Sequence, residues 1–296
     1  MLAAVCVVLA LAIALPLTAY LSVRRMLPAA AEETLPACDL SCPWYEQYSV
    51  ITHALGTVKG RMHTNSREAF IETYGRGARV FEADFCFSSD GELIVRHDFT
   101  DTSYWNLEQQ NVGVMSHETF MNTPICTYFT SLDVNGLFEL MREYPDTYLV
   151  TDIKYEEGEE SEQIFRKFTE TLAAEENADL RERVIIQIYG YDMYEWVRGA
   201  VPESNYILTL YMMKNRDFDK IGRFCRDNGI PVVAINETIL TEECVSTLHG
   251  YGVTVYTHTI NKMSEMKKRT RLTGVDGFYS DCVTDPELMG AGFERQ

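Results

Sequence analysis

Apolar and polar positions alternate in short runs along most of this chain, and the runs recur at regular spacing. Over residues 80–87, Glu82, Asp84 and Cys86 share one face while Phe81, Ala83, Phe85 and Phe87 share the other, the two-residue period of a strand. Asp90-Gly91 is a tight-turn pair, and residues 93–96 form a return strand that carries His97 and Asp98 back toward the carboxylates. Ahead of this hairpin a first strand is expected over 48–55, with Ile51, His53 and Leu55 on one face. A polar loop holding Lys59, Arg61 and His63 follows. Asn65 with Glu68 three residues on reads as a capping box for a helix over 66–74, which ends near Gly75 and Gly77.

Beyond Asp98, about thirty residues of weak periodicity have the character of an insertion or lid. A helix at 133–143 leads to a strand at 148–154, whose alternation points Tyr148, Val150, Asp152 and Lys154 one way. A helix at 159–175 comes next. Strands at 184–189, 206–211, 231–236, 254–259 and 277–281 then alternate with helices at 191–200, 217–228, 241–250 and 261–273. With the antiparallel return strand set aside, eight strands remain, which is the arithmetic of an α/β fold of the (β/α)8 TIM-barrel type. The hairpin and a small insertion follow its second strand. No Gly-rich phosphate fingerprint follows the first strand, which argues against an open dinucleotide-binding sheet.

Residues 1–23 contain no charged side chain and are long enough to cross a bilayer. They are read as an N-terminal hydrophobic helix, a transmembrane or signal-anchor segment over 1–25, with a linker over 26–46 and the barrel over 47–296. Arg24 and Arg25 after the span favour a cytoplasmic barrel, whereas Pro28 and the alanines after it have a cleavage-site character, so the sequence leaves the side of the membrane open. Cys6 lies in the span, and Cys38 with Cys42 would suit a disulfide outside the cytoplasm. Cys86, Cys126, Cys225, Cys244 and Cys282 lack paired zinc spacing. The balance of 26 Lys+Arg against 44 Asp+Glu gives a net charge of −18, which repels nucleic acid. An anionic substrate would need local relief from a cation.

The inward polar residues cluster at strand ends, where barrels of this kind place their chemistry. His53 ends the first strand, Glu82 and Asp84 the second, with His97 beside them, and Asp152 and Lys154 the third. Gln187, Asn236, Tyr256 and His258 lie near the ends of later strands. Glu82, Asp84 and Asp152 are hard oxygen ligands suited to a divalent cation, Ca²⁺ or Mg²⁺, whereas zinc prefers nitrogen or sulfur. Two histidines can serve as general base and acid, and a lysine can neutralise charge growing on phosphate oxygens. The chemistry these residues describe is metal-assisted phosphodiester cleavage. Gln187 and Asn236 read as interior amides, Asp98 as a residue that orients the hairpin or His97 rather than a metal ligand, and His63 and His258 are given no role.

Taken together, His53 with Gly56, TNSREAF at 64–70, EAD at 82–84, DGELIVRHD at 90–98, TDIK at 151–154, VTVYTHTIN at 253–261 and GVDGFYSD at 274–281 resemble the glycerophosphodiester phosphodiesterases, relatives of the phosphatidylinositol-specific phospholipases C. The resemblance implies a (β/α)8 barrel and hydrolysis of a glycerol phosphodiester to glycerol phosphate and an alcohol. It further implies a catalytic pair in His53 and His97, a cation held by Glu82, Asp84 and Asp152, and substrate contacts from Lys154 and Tyr256. Tyr256 stands where the family often has a tryptophan lining the glycerol pocket. Two positions depart from the pattern: Ala54 stands where the family usually has arginine, and Asp152 where it usually has glutamate. The expected protein is a membrane-anchored phosphodiesterase acting on a small-molecule or lipid-derived phosphodiester, without a nucleic-acid partner. Two alternatives are a phospholipase C-like enzyme that forms a cyclic phosphate and a catalytically weakened barrel used for binding.

Overall fold

Alternation within each strand and helices between strands close the chain into a barrel. The computed structural model describes residues 41–99, 113–153, 159–202 and 204–295. Eight parallel strands follow one another around the ring: β1 (Val50–Thr52), β2 (Val80–Phe87), β4 (Tyr148–Asp152), β5 (Val184–Ile188), β6 (Asn205–Thr209), β7 (Val232–Asn236), β8 (Thr254–His258) and β9 (Gly277–Ser280). Pairing of β9 with β1 and of β1 with β2 completes the closure. The hairpin strand β3 (Leu93–Val95) runs antiparallel along the upper part of β2, in the register Phe85↔Val95.

Two apolar layers result from the two faces of the strands. Phe81, Ala83, Leu149, Ile186, Leu208, Val233 and Val255 face outward into the shell of helices. Ile51, Val80, Val150, Ile185, Ile207, Val232, Ala234 and Tyr256 fill the interior. Trp44, 2 % exposed, plugs the N-terminal end of the barrel, its ring 5.6 Å from that of Tyr256. Barrel packing therefore begins before residue 47, inside what the sequence reads as linker. Gly277 makes room for this layer, because a Cβ there would lie 2.2 Å from the Tyr256 ring.

The first strand is shorter than its hydrophobic pattern suggests. It ends at Thr52, and the chain turns through His53–Leu55 with Ala54 and Leu55 at φ 48° and 61°. This turn sends Leu55 outward, away from the face of Ile51 and His53. Gly56 completes it at φ 94°, with a Cβ excluded by Thr73 Oγ1 at 2.4 Å. The helix that follows, Arg67–Gly75, is capped by Ser66, whose hydroxyl accepts from Ala69 N–H, and not by Asn65. Glu68 closes no capping box; it accepts from the N–H and hydroxyl of Thr130. Among the described residues no helix is long and apolar enough to cross a membrane, and residues 1–23 lie outside them.

Candidate active site

Register places the carboxylates. In the parallel pairing of β2 with β4, Asp84 stands opposite Asp152 and Glu82 opposite Val150, so two acids meet at the mouth and Glu82 sits one layer deeper. One oxygen from each of Glu82, Asp84 and Asp152 falls within 4.8 Å of the others. Glu82 and Asp84 are 1 % and 2 % exposed. Three carboxylates this close in a buried setting repel one another, and the charged form of each is poorly solvated. Burial first, then the Asp84 charge, push Glu82 well above the ordinary carboxylate range.

Each acid is held by a neighbour. The sharp turn after β1 aims Ala54 N–H at Glu82 Oε2, 2.7 Å away. Asn65, in the left-handed region at φ 48°, pairs with Asp84 twice: its Nδ2 donates to Oδ2 at 2.8 Å and its Oδ1 accepts from the Asp84 N–H at 3.3 Å. Asp152 accepts from the Tyr189 hydroxyl and from Gln187 Nε2, whose Oε1 in turn accepts from Tyr279 across the barrel. Glu82 Oε1 is buried with no hydrogen-bond partner among the described residues. A buried, unsatisfied carboxylate oxygen beside two further carboxylates is a donor set that fits a hard divalent cation. The residues present therefore suit the cation that their chemistry calls for.

His53 stands between this cluster and a second one. Its Nε2 lies 3.9 Å from Glu82 Oε2, and its Nδ1 lies 2.7 Å from Asp281 Oδ1. Burial works against a charged ring here, but the Glu82 charge, the Asp281 hydrogen bond and the Asp84 charge outweigh it and raise His53 to about 9. Asp281 follows β9 and is 4 % exposed. Burial opposes its charge, yet hydrogen bonds from His53, His63 and Asn261 hold it well below the ordinary carboxylate range. His63 Nε2 lies 2.8 Å from the same Oδ1. The two imidazole contacts, at 2.7 and 2.8 Å, are hydrogen-bond lengths, so this second group of ligand-type atoms is satisfied internally.

His97 lies two residues past β3. Carrying the Phe85↔Val95 register onward sets it level with Ala83, between the heights of Glu82 and Asp84. Asp98 Oδ2 pairs with its Nδ1, the orienting role expected for that acid. Lys154 lies outside the described residues. Tyr256 is not at the mouth. It is wholly buried, and its hydroxyl donates to Tyr48 O at the opposite end of the barrel. Alternation puts it on the inner face as expected, but one residue pair below His258, in the plug layer with Trp44. Gln187 is an interior amide as read, with the added task of holding Asp152, and Asn236 caps the turn to Thr238. The sequence reading gave no role to His63, assigned none to Asp281, and took Asn65 for a helix cap rather than a partner of Asp84. Their partners lie 218, 228 and 19 residues away, so no local period could reveal them.

With this geometry in place, comparison with known proteins is informative. The model of the glycerophosphoryl diester phosphodiesterase family matches residues 57–284. A search of curated proteins found no match. Among solved structures, a glycerophosphoryl diester phosphodiesterase from Parabacteroides distasonis is 18% identical, with 87% of this chain and 92% of that one covered and a TM-score of 0.61. A second from the same organism gives 14%, 82% and 95%, with a TM-score of 0.63. A phosphodiesterase from Oleispira antarctica gives 16%, 83% and 98%, with a TM-score of 0.62. At these identities the likeness is one of fold, while the family match spans most of the barrel. The chain belongs to the glycerophosphoryl diester phosphodiesterase family, a family of phosphoric diester hydrolases.

Proposed function

We propose that this protein hydrolyses a glycerophosphodiester or a related lipid-derived phosphodiester, with His53 and His97 as its acid–base pair and Glu82, Asp84 and Asp152 as ligands of a Ca²⁺ or Mg²⁺ ion. The observation that carries the reading is the buried carboxylate cluster with an unsatisfied Glu82 oxygen, set beside a histidine whose Nδ1 is held by Asp281. The Oleispira antarctica phosphodiesterase was solved with the product sn-glycerol-3-phosphate, which supports the substrate class.

The roles follow from position. Asp281 engages Nδ1 of His53 and leaves Nε2 on the side of the carboxylates, where it can accept or return a proton. Asp98 likewise engages Nδ1 of His97. Water attacks phosphorus as the bond to the alcohol breaks; one histidine takes the proton from water and the other supplies one to the leaving oxygen. Lys154 would balance charge on the phosphate. A bound dication would act as a Lewis acid toward the phosphoryl oxygens. Residues 1–23 would tether the barrel to a membrane, a reading supported by their length and lack of charge alone.

The test is turnover of glycerophosphocholine and glycerophosphoglycerol with Ca²⁺, Mg²⁺ or chelator. Cation-dependent release of glycerol phosphate is expected, falling about 10²- to 10⁴-fold in His53→Ala and in His97→Ala. Full activity in both variants would sink the assigned pair, and a cyclic phosphate product would move the reaction to the phospholipase C type.

A further inference from the structure

The loop between β1 and the helix Arg67–Gly75 makes contacts on both halves of the site. Its His63 reaches Asp281 Oδ1, the oxygen that also takes His53 Nδ1, and its Asn65 grips Asp84. Both residues sit in the left-handed region, at φ 60° and 48°, which histidine and asparagine enter more readily than most side chains. A third tie runs from the Thr57 hydroxyl to Asp281 O at 2.6 Å. The other Asp281 oxygen accepts from Asn261 Nδ2, and Asn261 Oδ1 accepts from the Asp281 N–H. Two imidazole nitrogens and an amide thus converge on one buried carboxylate, so every nitrogen facing it must present a proton.

We infer that His63 is a positioning residue for the proposed base: by sharing Asp281 Oδ1 it fixes that carboxylate, and through it the Nδ1–H tautomer of His53, while Asn65 on the same loop sets the distance to the cation ligands. The inference rests on the acid–base role proposed for His53. The rings of His63 and His53 meet edge to face at 5.2 Å, so His63 also packs directly against the ring it helps to position. Its side chain is 24 % exposed against 5 % for Asp281, the placement of a residue that closes a network from outside. What Asp281 takes from His63 is one N–H, at the Nε2 position. A glutamine amide can supply that donor from a similar distance.

The experiment compares His63→Ala with His63→Gln in the full chain, with thermal melts to establish that both are folded. Ring ¹⁵N shifts of His53 in histidine-labelled protein are the readout that does not depend on turnover. Recorded on the alkaline side of the His53 titration, where the ring is neutral, the parent is expected to show the Nδ1–H tautomer, His63→Ala a mixture, and His63→Gln the parent pattern. In turnover of glycerophosphocholine, His63→Ala should lose about 10- to 100-fold in kcat with KM little changed, and His63→Gln should recover to within about threefold of the parent. An unchanged tautomer in His63→Ala overturns the inference, as does a glutamine variant as impaired as alanine, which would make His63 an acid, a base or a cation toward phosphate. If no variant or parent turns over any diester, the function proposed above fails, while the tautomer shift still decides the role of His63.

Discussion

Single side chains in this barrel divide by height as well as by face: Glu82 and Tyr256 both face inward, but one belongs to the carboxylate cluster and the other to the plug layer with Trp44. Glu82 has a backbone N–H on one oxygen and, among the described residues, no hydrogen-bond partner on the other, a costly arrangement for a buried acid unless a cation fills the gap. Tyr256 has its one polar atom satisfied by Tyr48 O far from the mouth. Tyr256→Phe should therefore lower stability by about 1 kcal/mol, the worth of one buried hydrogen bond, and leave KM for glycerophosphodiesters unchanged. Denaturant melts and steady-state kinetics check this. A raised KM with unchanged stability would return Tyr256 to the substrate pocket.

Between elements, the pairing of β8 with β9 depends on a missing side chain. Gly277 lies where the Tyr256 ring crosses from the neighbouring strand, and a methyl group there would come within 2.2 Å of that ring. Because backbone hydrogen bonds fix both strands, the ring must leave its rotamer. Gly277→Ala is expected to destabilise by about 1–3 kcal/mol, the usual cost of overpacking a filled core. Urea unfolding gives the number, and an unchanged midpoint would mean that the plug layer is loosely packed. The existence of the hairpin strand β3 was legible from Asp90-Gly91 and the alternation around it, but its register was not: Phe87 pairs with Leu93 and Ser88 N–H bonds Glu92 O, a longer connection than a two-residue turn. The short β1 was not legible. The pattern at 48–55 continues as strand, and only the left-handed turn at Ala54 and Leu55 cuts it off at Thr52.

For the whole molecule, the site concentrates negative charge that the folded chain must tolerate. His53 is raised to about 9, so its protonation stabilises the fold fully below about pH 6.5, the ordinary histidine value, and that stabilisation is lost as pH rises through about 9. Glu82, raised by burial and by Asp84, acts in the same direction, because a proton kept in the folded state is one that high pH removes. In chelator, the melting temperature should fall between about pH 6.5 and 9. Saturating Ca²⁺ or Mg²⁺ should raise it and flatten that fall, since the cation takes the place of the protons on the cluster. Calorimetry across pH, with and without cation, tests both signs. A melting temperature that rises with pH in chelator would show that the carboxylates are not mutually repelled.

Face was determined by the sequence alone. A period of two commits Glu82 and Asp84 to the same side as Val80, and Asp152 to the same side as Val150, before any tertiary contact forms. Alternating helices then require a parallel sheet that buries that side. This is why the barrel, the hairpin and the three carboxylates could be read from residue order. Height within the barrel, and which side chains meet across its closing seam, were decided only by the tertiary structure. Whether an inward residue looks to the mouth or to the plug depends on how eight strands slide against one another, which set Tyr256 in the plug layer beside Trp44. The union of His53, His63 and Asp281 arises because β9 closes against β1, a pairing between the two ends of the barrel that no local pattern encodes.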